Sequence, residues 1–323
     1  MGVISFLASR KYKNSRPIYY AIAILREVFP DYLCRVQLKS KLKKQTDFDI
    51  EYIQKRVNYY CKLENCKATS SFLVPLSEFK IPPRIRAYYF DSYEYTRFFP
   101  KELKAAFLPG DINHVPDFPT IVKSRPIGNH NANSVILNLD KIRHFIFVDD
   151  KKQFVGKKDM LIGRGAVTQP HRTRFLKMYF NHPMCNVGQV NRDNHGDKYL
   201  VAKMSIDEQL EYKFILSLEG NDVATNLKWI MSSNSLAVMP RPKYETWFME
   251  GTLVSNYHYI LIEDDYSDLE ERLNYYIEHP EEALDIVRNA NEYVNQFRNK
   301  KREDVISLLV LDKYFKETGQ YCN

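Results

Sequence analysis

The stretch between residues 214 and 262 constrains the fold more than any other part of the chain. An apolar run at 214–218 leads into Glu219-Gly220-Asn221-Asp222, a helical pattern covers 223–231, and further apolar runs follow at 235–239 and 257–262. Strands separated by a helix cannot pair through a tight hairpin; they pair in parallel, through a crossover. The spacing therefore predicts a parallel sheet covered by helices, and in such sheets ligands bind beyond the carboxyl ends of the strands. Residues 219–226 and 241–250, Tyr244 and Glu245 among them, fall at those ends, which makes this half of the chain the expected small-molecule site.

At 323 residues the chain exceeds one ordinary core and suits two domains. The acidic and basic cluster Asp149-Asp150-Lys151-Lys152 is the expected boundary, separating 1–150 from 151–323. With 44% hydrophobic and 27% charged residues the chain is globular. No apolar run approaches the roughly 20 residues that span a bilayer. Residues 1–9 lack the pattern of a secretory leader, and Phe6 stands where a myristoylation signal wants Ser or Thr. A cytoplasmic protein is expected. The five cysteines, scattered and odd in number, suit reduced thiols, and no Cys/His spacing fits zinc, so no structural metal is expected.

Charge is concentrated at the start. Residues 1–46 hold ten Lys/Arg against Glu27 and Asp31, while the whole chain carries only +7. Such a segment is either a solvated helix face or a surface that docks on anionic lipid, the second suited by the interleaved Tyr19, Tyr20, Phe29 and Tyr32. Nucleic acid is not an expected partner, since no recognition motif accompanies the charge.

Helical periodicity is plain over 17–29 and 49–63, and an aromatic, proline-broken α/β stretch covers 70–119. A strand is predicted at 118–123, a polar loop at 124–133, a helix at 134–142 and a strand at 144–148. A strand at 159–162 precedes a helix at 172–179. Ser267 and Glu270 fit a capping box opening the helix after the last strand; helices follow at 283–297 and 305–314.

Several polar groups could carry chemistry. Gly163-Arg164-Gly165-Ala166-Val167-Thr168 joins a strand to a helix, where small residues let backbone N–H groups approach an anion, or is equally a turn with a surface arginine; the glycine spacing is neither that of a P-loop nor of a dinucleotide fingerprint. Glu219-Gly220-Asn221-Asp222, with Asn226 and Lys228 after it, ends the next strand; Asn221 or Asp222 could equally cap the helix. Asp111, after Gly110, is a candidate general base or a turn residue. Ser124, Arg125 and Asn129 lie in a polar loop that either binds sugar hydroxyls or is simply exposed. Asp149-Asp150 resembles a divalent-metal pair, or is a charged linker.

Taken together, several of these runs resemble glycosyltransferase family 90: residues 218–229, Ser233-Asn234-Ser235, Pro242-Lys243-Tyr244-Glu245-Thr246-Trp247, Asn256-Tyr257-His258-Tyr259, Gly163-Arg164-Gly165 with Pro170 and Arg172, and Lys123-Ser124-Arg125-Pro126 through Arg143-His144. The resemblance spans about 105–300. It implies a GT-B-like α/β fold, two Rossmann-like domains facing across a cleft, with a UDP-sugar held by the C-terminal one and an acceptor by the N-terminal one. It implies inverting transfer without an obligatory metal or other cofactor, onto a glycan such as lipopolysaccharide core. By register it places the diphosphate near Arg164, Gly165 and Thr168, and near Glu219-Gly220, Asn226 and Lys228; Asp111 matches the catalytic aspartate. Glu219 and Val167 stand where relatives carry arginine.

Overall fold

Two parallel sheets organise this protein, and each belongs to its own unit of the chain. The computed structural model describes residues 14–66, 73–82, 84–192 and 198–321. By contacts the chain divides into one unit of Ser15–Ile142, Lys243–Gly251 and Phe297–Asn323, and another built on Arg143–Pro242 and Thr252–Gln296. The fold is thus mixed α/β, but neither unit is continuous in sequence. Residues 143–150, expected with the N-terminal half, group with the larger sheet; residues 243–251 and 297–323 group with the N-terminal segment.

In the first unit, helices α1 (Arg16–Val28), α2 (Ile50–Tyr60) and α3 (Arg86–Thr96) precede three short strands, β1 (Phe107–Leu108), β2 (Thr120–Val122) and β3 (Ser134–Ile136). The strands pair in parallel in the order β1-β2-β3, with Phe107 opposite Ile121 and Thr120 opposite Ser134. Residues 134–142, expected as a helix, contain β3 instead. Val135 and Ile136 are wholly buried, and a short apolar run buried on both faces reads the same as a helix segment by periodicity. The strand expected at 144–148 does not form: Phe145 has φ of 55°, which no strand accommodates.

The C-terminal helix Lys300–Glu317 is held in this unit by a buried ion pair. Arg56 of α2 donates from both terminal nitrogens to the carboxylate of Glu303, at 2.8 and 2.7 Å. The same carboxylate accepts from the Trp247 indole at 2.7 Å, and Trp247 stacks on Tyr60 with ring centroids 3.9 Å apart. Residues far apart in sequence therefore close one desolvated polar network, which explains the grouping of 297–323 with the N-terminal helices.

The second unit carries β4 (Lys158–Gly165), α4 (Pro170–Tyr179), β5 (Cys185–Gln189), β6 (Tyr212–Leu216), α5 (Leu227–Met231), β7 (Leu236–Met239), β8 (Ile260–Leu261), α6 (Leu269–Glu278) and α7 (Pro280–Asn295). The five strands lie in the order β5-β4-β6-β7-β8, all parallel. One face packs Leu161, Phe214, Val238 and Ile260 against Phe175 of α4, Leu273 of α6 and Ile286 of α7. Each such side chain contributes about 1.5–3 kcal/mol on leaving water.

Two local details differ from the sequence reading. α5 starts at Leu227 rather than 223, because Asn226 turns back to the strand: its amide donates to the Leu216 carbonyl at 2.9 Å. The capping box expected at Ser267 is absent. Ser267 donates to Asp265, and Asp268 is the N-cap residue of α6. A capping box occurs instead at Ser205 and Glu208.

Candidate functional site

The strand order of the second unit has one reversal. From β4 the chain moves outward to β5, then returns across β4 to β6 and continues to β7 and β8. Crossovers leaving in opposite directions separate the loops at the carboxyl ends of β4 and β6, and ligands of open α/β sheets sit in that crevice. The loops concerned are residues 166–169 and 217–222.

Arg172, in the first turn of α4, stitches the two loops together. Its Nε and one terminal nitrogen donate to the carbonyls of Glu219 and Leu218, at 2.8 and 2.6 Å, and the other donates to the Ala166 carbonyl at 2.7 Å. His171 meets the Glu219 carbonyl at 2.9 Å, and the Gln169 amide donates to Asn221 Oδ1 at 3.0 Å. The turn itself closes by a bond from the Gly220 N–H to the Asp222 carbonyl, 2.8 Å. Gly165 and Gly220 flank the same guanidinium: a β-carbon on either would lie 3.8 or 3.5 Å from its terminal nitrogens. Burial lowers the Arg172 pKa from its ordinary value, with Tyr266 and Glu219 acting the other way. An arginine nonetheless stays protonated.

The expected anion-binding residues thus fall into three groups. Gly165, Arg172, Glu219, Gly220 and Asn221 come together at the switch point, next to the exposed Thr168. Arg164 is directed to the β5 side, where it donates to the Asn186 carbonyl at 2.6 Å, to Asn186 Oδ1 at 2.7 Å and to the Ala202 carbonyl at 3.2 Å. Asp222 and Lys228 are buried, Lys228 completely, and Asn226 is occupied by Leu216 and Ser217. The loops are legible in the sequence but the joint that Arg172 makes is not; nothing in a run of polar residues signals which arginine reaches two strand ends.

In the first unit β1 ends in Pro109-Gly110, with Gly110 at φ of 118°, a left-handed conformation that favours glycine. Asp111 follows. Its Oδ1 accepts from the Lys123 ammonium at 2.5 Å, and the Tyr88 hydroxyl lies 3.4 Å from it and 3.4 Å from Asp140. Lys123 is buried at the end of β2, whereas the Asp111 side chain remains 26% exposed. Ser124 fixes the loop by accepting from the Ile112 N–H at 3.0 Å and donating to its carbonyl at 3.1 Å. A carboxylate that is reachable and held in place meets the geometric requirement of a general base. Lys123, Tyr88 and Asp140 leave no local trace of this cluster in the sequence: the parallel pairing of β1 and β2 brings Lys123 to Asp111, while Tyr88 comes from α3 and Asp140 from the segment after β3.

Arg125 and Glu245, expected on opposite sides of a substrate, instead pair with each other. Arg125 Nε donates to Glu245 at 2.7 Å, its terminal nitrogens reach the carbonyls of Ser134 and Tyr59, and Tyr59 donates its hydroxyl to Glu245. Both side chains are buried, under the antiparallel bridge of Tyr244–Glu245 to Arg125–Pro126. Tyr244 is half-buried and Asn129 exposed. Asp149 and Asp150 part company: Asp149 pairs with Lys151 at the surface, and Asp150 binds Lys157 at 2.8 Å and the Asn234 N–H at 2.9 Å. Among the described residues no three His, Cys, Asp or Glu side chains group as metal ligands.

The sequence profile "Glycosyl transferase family 90" matches residues 140–316. A curated relative, "O-glucosyltransferase LpsA" of Dichelobacter nodosus, is 43% identical over 267 residues, covering 81% of this chain and 82% of that protein.

Proposed function

This chain belongs to glycosyltransferase family 90, and on that premise we propose that it moves a hexose or pentose from a UDP-sugar to a glycan acceptor with inversion at the anomeric carbon. UDP-glucose is the first donor to test, since the Dichelobacter relative is named an O-glucosyltransferase. Lipopolysaccharide core is the acceptor that family resemblance favours. The reading takes a GT-B arrangement, with the donor on the five-stranded unit and the acceptor base on the other, and a cytoplasmic location. No helix among the described residues is long and apolar enough to cross a membrane.

The observation that supports it best is the pair of loops joined by Arg172 at the switch point of a parallel sheet. There the diphosphate would meet the N-terminus of α4, whose first turn holds no acid to compete, beside the turn at Gly220. Arg172 contributes a fixed positive charge and holds both loops in register. These groups, rather than a metal, would stabilise the charge growing on the departing UDP.

On the acceptor side Asp111 would act as the base. The acceptor hydroxyl oxygen bonds to the anomeric carbon from the face opposite the nucleotide. The sugar–phosphate C–O bond breaks with its electron pair leaving on UDP, and the hydroxyl proton passes to the Asp111 carboxylate. Lys123 and Ser124 are positioning residues that hold the carboxylate and its loop. Asp111→Asn is expected to lower turnover by about 10²–10⁴-fold, the usual worth of a general base, with UDP affinity nearly unchanged. Lost UDP affinity with normal turnover contradicts the assignment. Transfer that stops on adding a chelator and returns with a divalent ion contradicts the metal-free reading.

A further inference from the structure

Helix α1 is attached by its polar side and shows its apolar side to solvent. Inward, the Tyr19 hydroxyl donates to Asp91 at 2.9 Å, Ala23 is buried beside Tyr89 and Phe90, and Arg26 pairs with Glu94 at 2.6 Å. Outward stand Ile18, Ile22 and Leu25, one stripe at helical spacing, flanked by Ile24 and Val28; Leu25 is 69% and Val28 78% exposed. Past the helix the apolar surface continues through Phe29, Tyr32 and Val36, the last 74% exposed. A folded chain ordinarily turns such a helix the other way round, since each of these aliphatic groups forgoes roughly 1.5–3 kcal/mol by staying in water. Contiguous exposed apolar surface of this kind marks an interaction site.

Charge identifies what covers it. Between residues 14 and 44 every exposed charged side chain is a cation: Arg16, Lys39, Lys43 and Lys44. The two acids of this segment are withdrawn. Glu27 is half-buried, and Asp31 accepts from Tyr93 at 2.7 Å and pairs with Arg97 and Lys101, each at 3.2 Å. A second copy of the chain docking face to face would set these cations against their own duplicates. A bilayer with anionic headgroups supplies both the apolar interior and the opposite charge. We propose that α1 and the segment after it form a membrane-docking face: α1 lies in the plane of an anionic bilayer, its aliphatic stripe enters the headgroup boundary, and the lysines meet lipid phosphates.

This inference concerns binding alone and does not depend on the transferase reading. It is tested by flotation of the full chain with vesicles of phosphatidylcholine alone or of phosphatidylcholine mixed with phosphatidylglycerol, no nucleotide being present. The wild-type protein is expected to float with the mixed vesicles and weakly or not at all with the neutral ones. Leu25→Glu with Val28→Glu should abolish flotation, and Lys39→Gln and Lys43→Gln should each weaken it about fivefold. All four positions are exposed, so thermal melting should match wild type; Ile18→Glu provides an independent variant of the same stripe. Absence of wild-type flotation, equal flotation by the Leu25→Glu/Val28→Glu protein, or a wild-type dimer that Leu25→Glu dissociates would each overturn the proposal.

Discussion

At the scale of single residues the candidate site was half legible. Gly165, Glu219, Gly220 and Asn221, expected at an anion site, gather around Arg172 and its loops at the switch point. Arg164 and Arg172, eight positions apart, cannot be ranked from sequence, because which one faces the crevice depends on strand alternation and on the entry of α4. Arg172 reaches three carbonyls on two loops; Arg164 spends its guanidinium on Asn186 and Ala202. Arg172→Lys keeps the charge but loses the fork. It is expected to raise the Kd for UDP roughly tenfold, about the worth of one charged hydrogen bond, by calorimetric titration. Unchanged affinity would remove Arg172 from the site.

Asp91 offers a second residue-scale test. Burial pushes its carboxyl up to about 6, with the Lys141 ammonium partly opposing. The folded chain therefore holds a proton there that the unfolded chain, titrating at about 4, has released. Stability from this group is full below about pH 4 and is lost as pH rises through about 6, a swing of roughly 3 kcal/mol. Asp91→Asn lacks the dependence, so its stability relative to wild type should improve by that amount between pH 4 and 7, read from urea midpoints. A constant difference would mean that Asp91 does not titrate in this window.

At the scale of elements, long periodic segments were readable and short buried ones were not. α1, α2, α4 and the strands β4, β6 and β7 stand within a few residues of expectation, because amphipathic periodicity or flanking turns declare them. β3 is read as helix since Val135 and Ile136 are buried on both faces, and β5, with Asn186, Gly188 and Gln189 among its five residues, lacks the apolar run that marks the other strands. The link between α2 and the C-terminal helix was also invisible, as an Arg56–Glu303 pair leaves no local trace. Glu303→Ala would strand the Arg56 guanidinium and the Trp247 indole in the core, at an expected cost of about 3–5 kcal/mol in denaturant unfolding. A loss under 1 kcal/mol would show that the network relaxes around water.

At the scale of the whole molecule, composition and strand spacing indicated an α/β protein with a parallel sheet. They could not show that the chain leaves and re-enters each unit, because discontinuity depends on contacts such as Trp247 with Tyr60 and Glu303. Family membership makes the chain a glycosyltransferase, and the proposal places its donor at the strand reversal of the five-stranded unit. Hydrogen–deuterium exchange of the full chain with and without UDP tests that placement most directly. Protection confined mainly to residues 164–172 and 217–226 is the expected result; protection elsewhere with these two segments unchanged would contradict it.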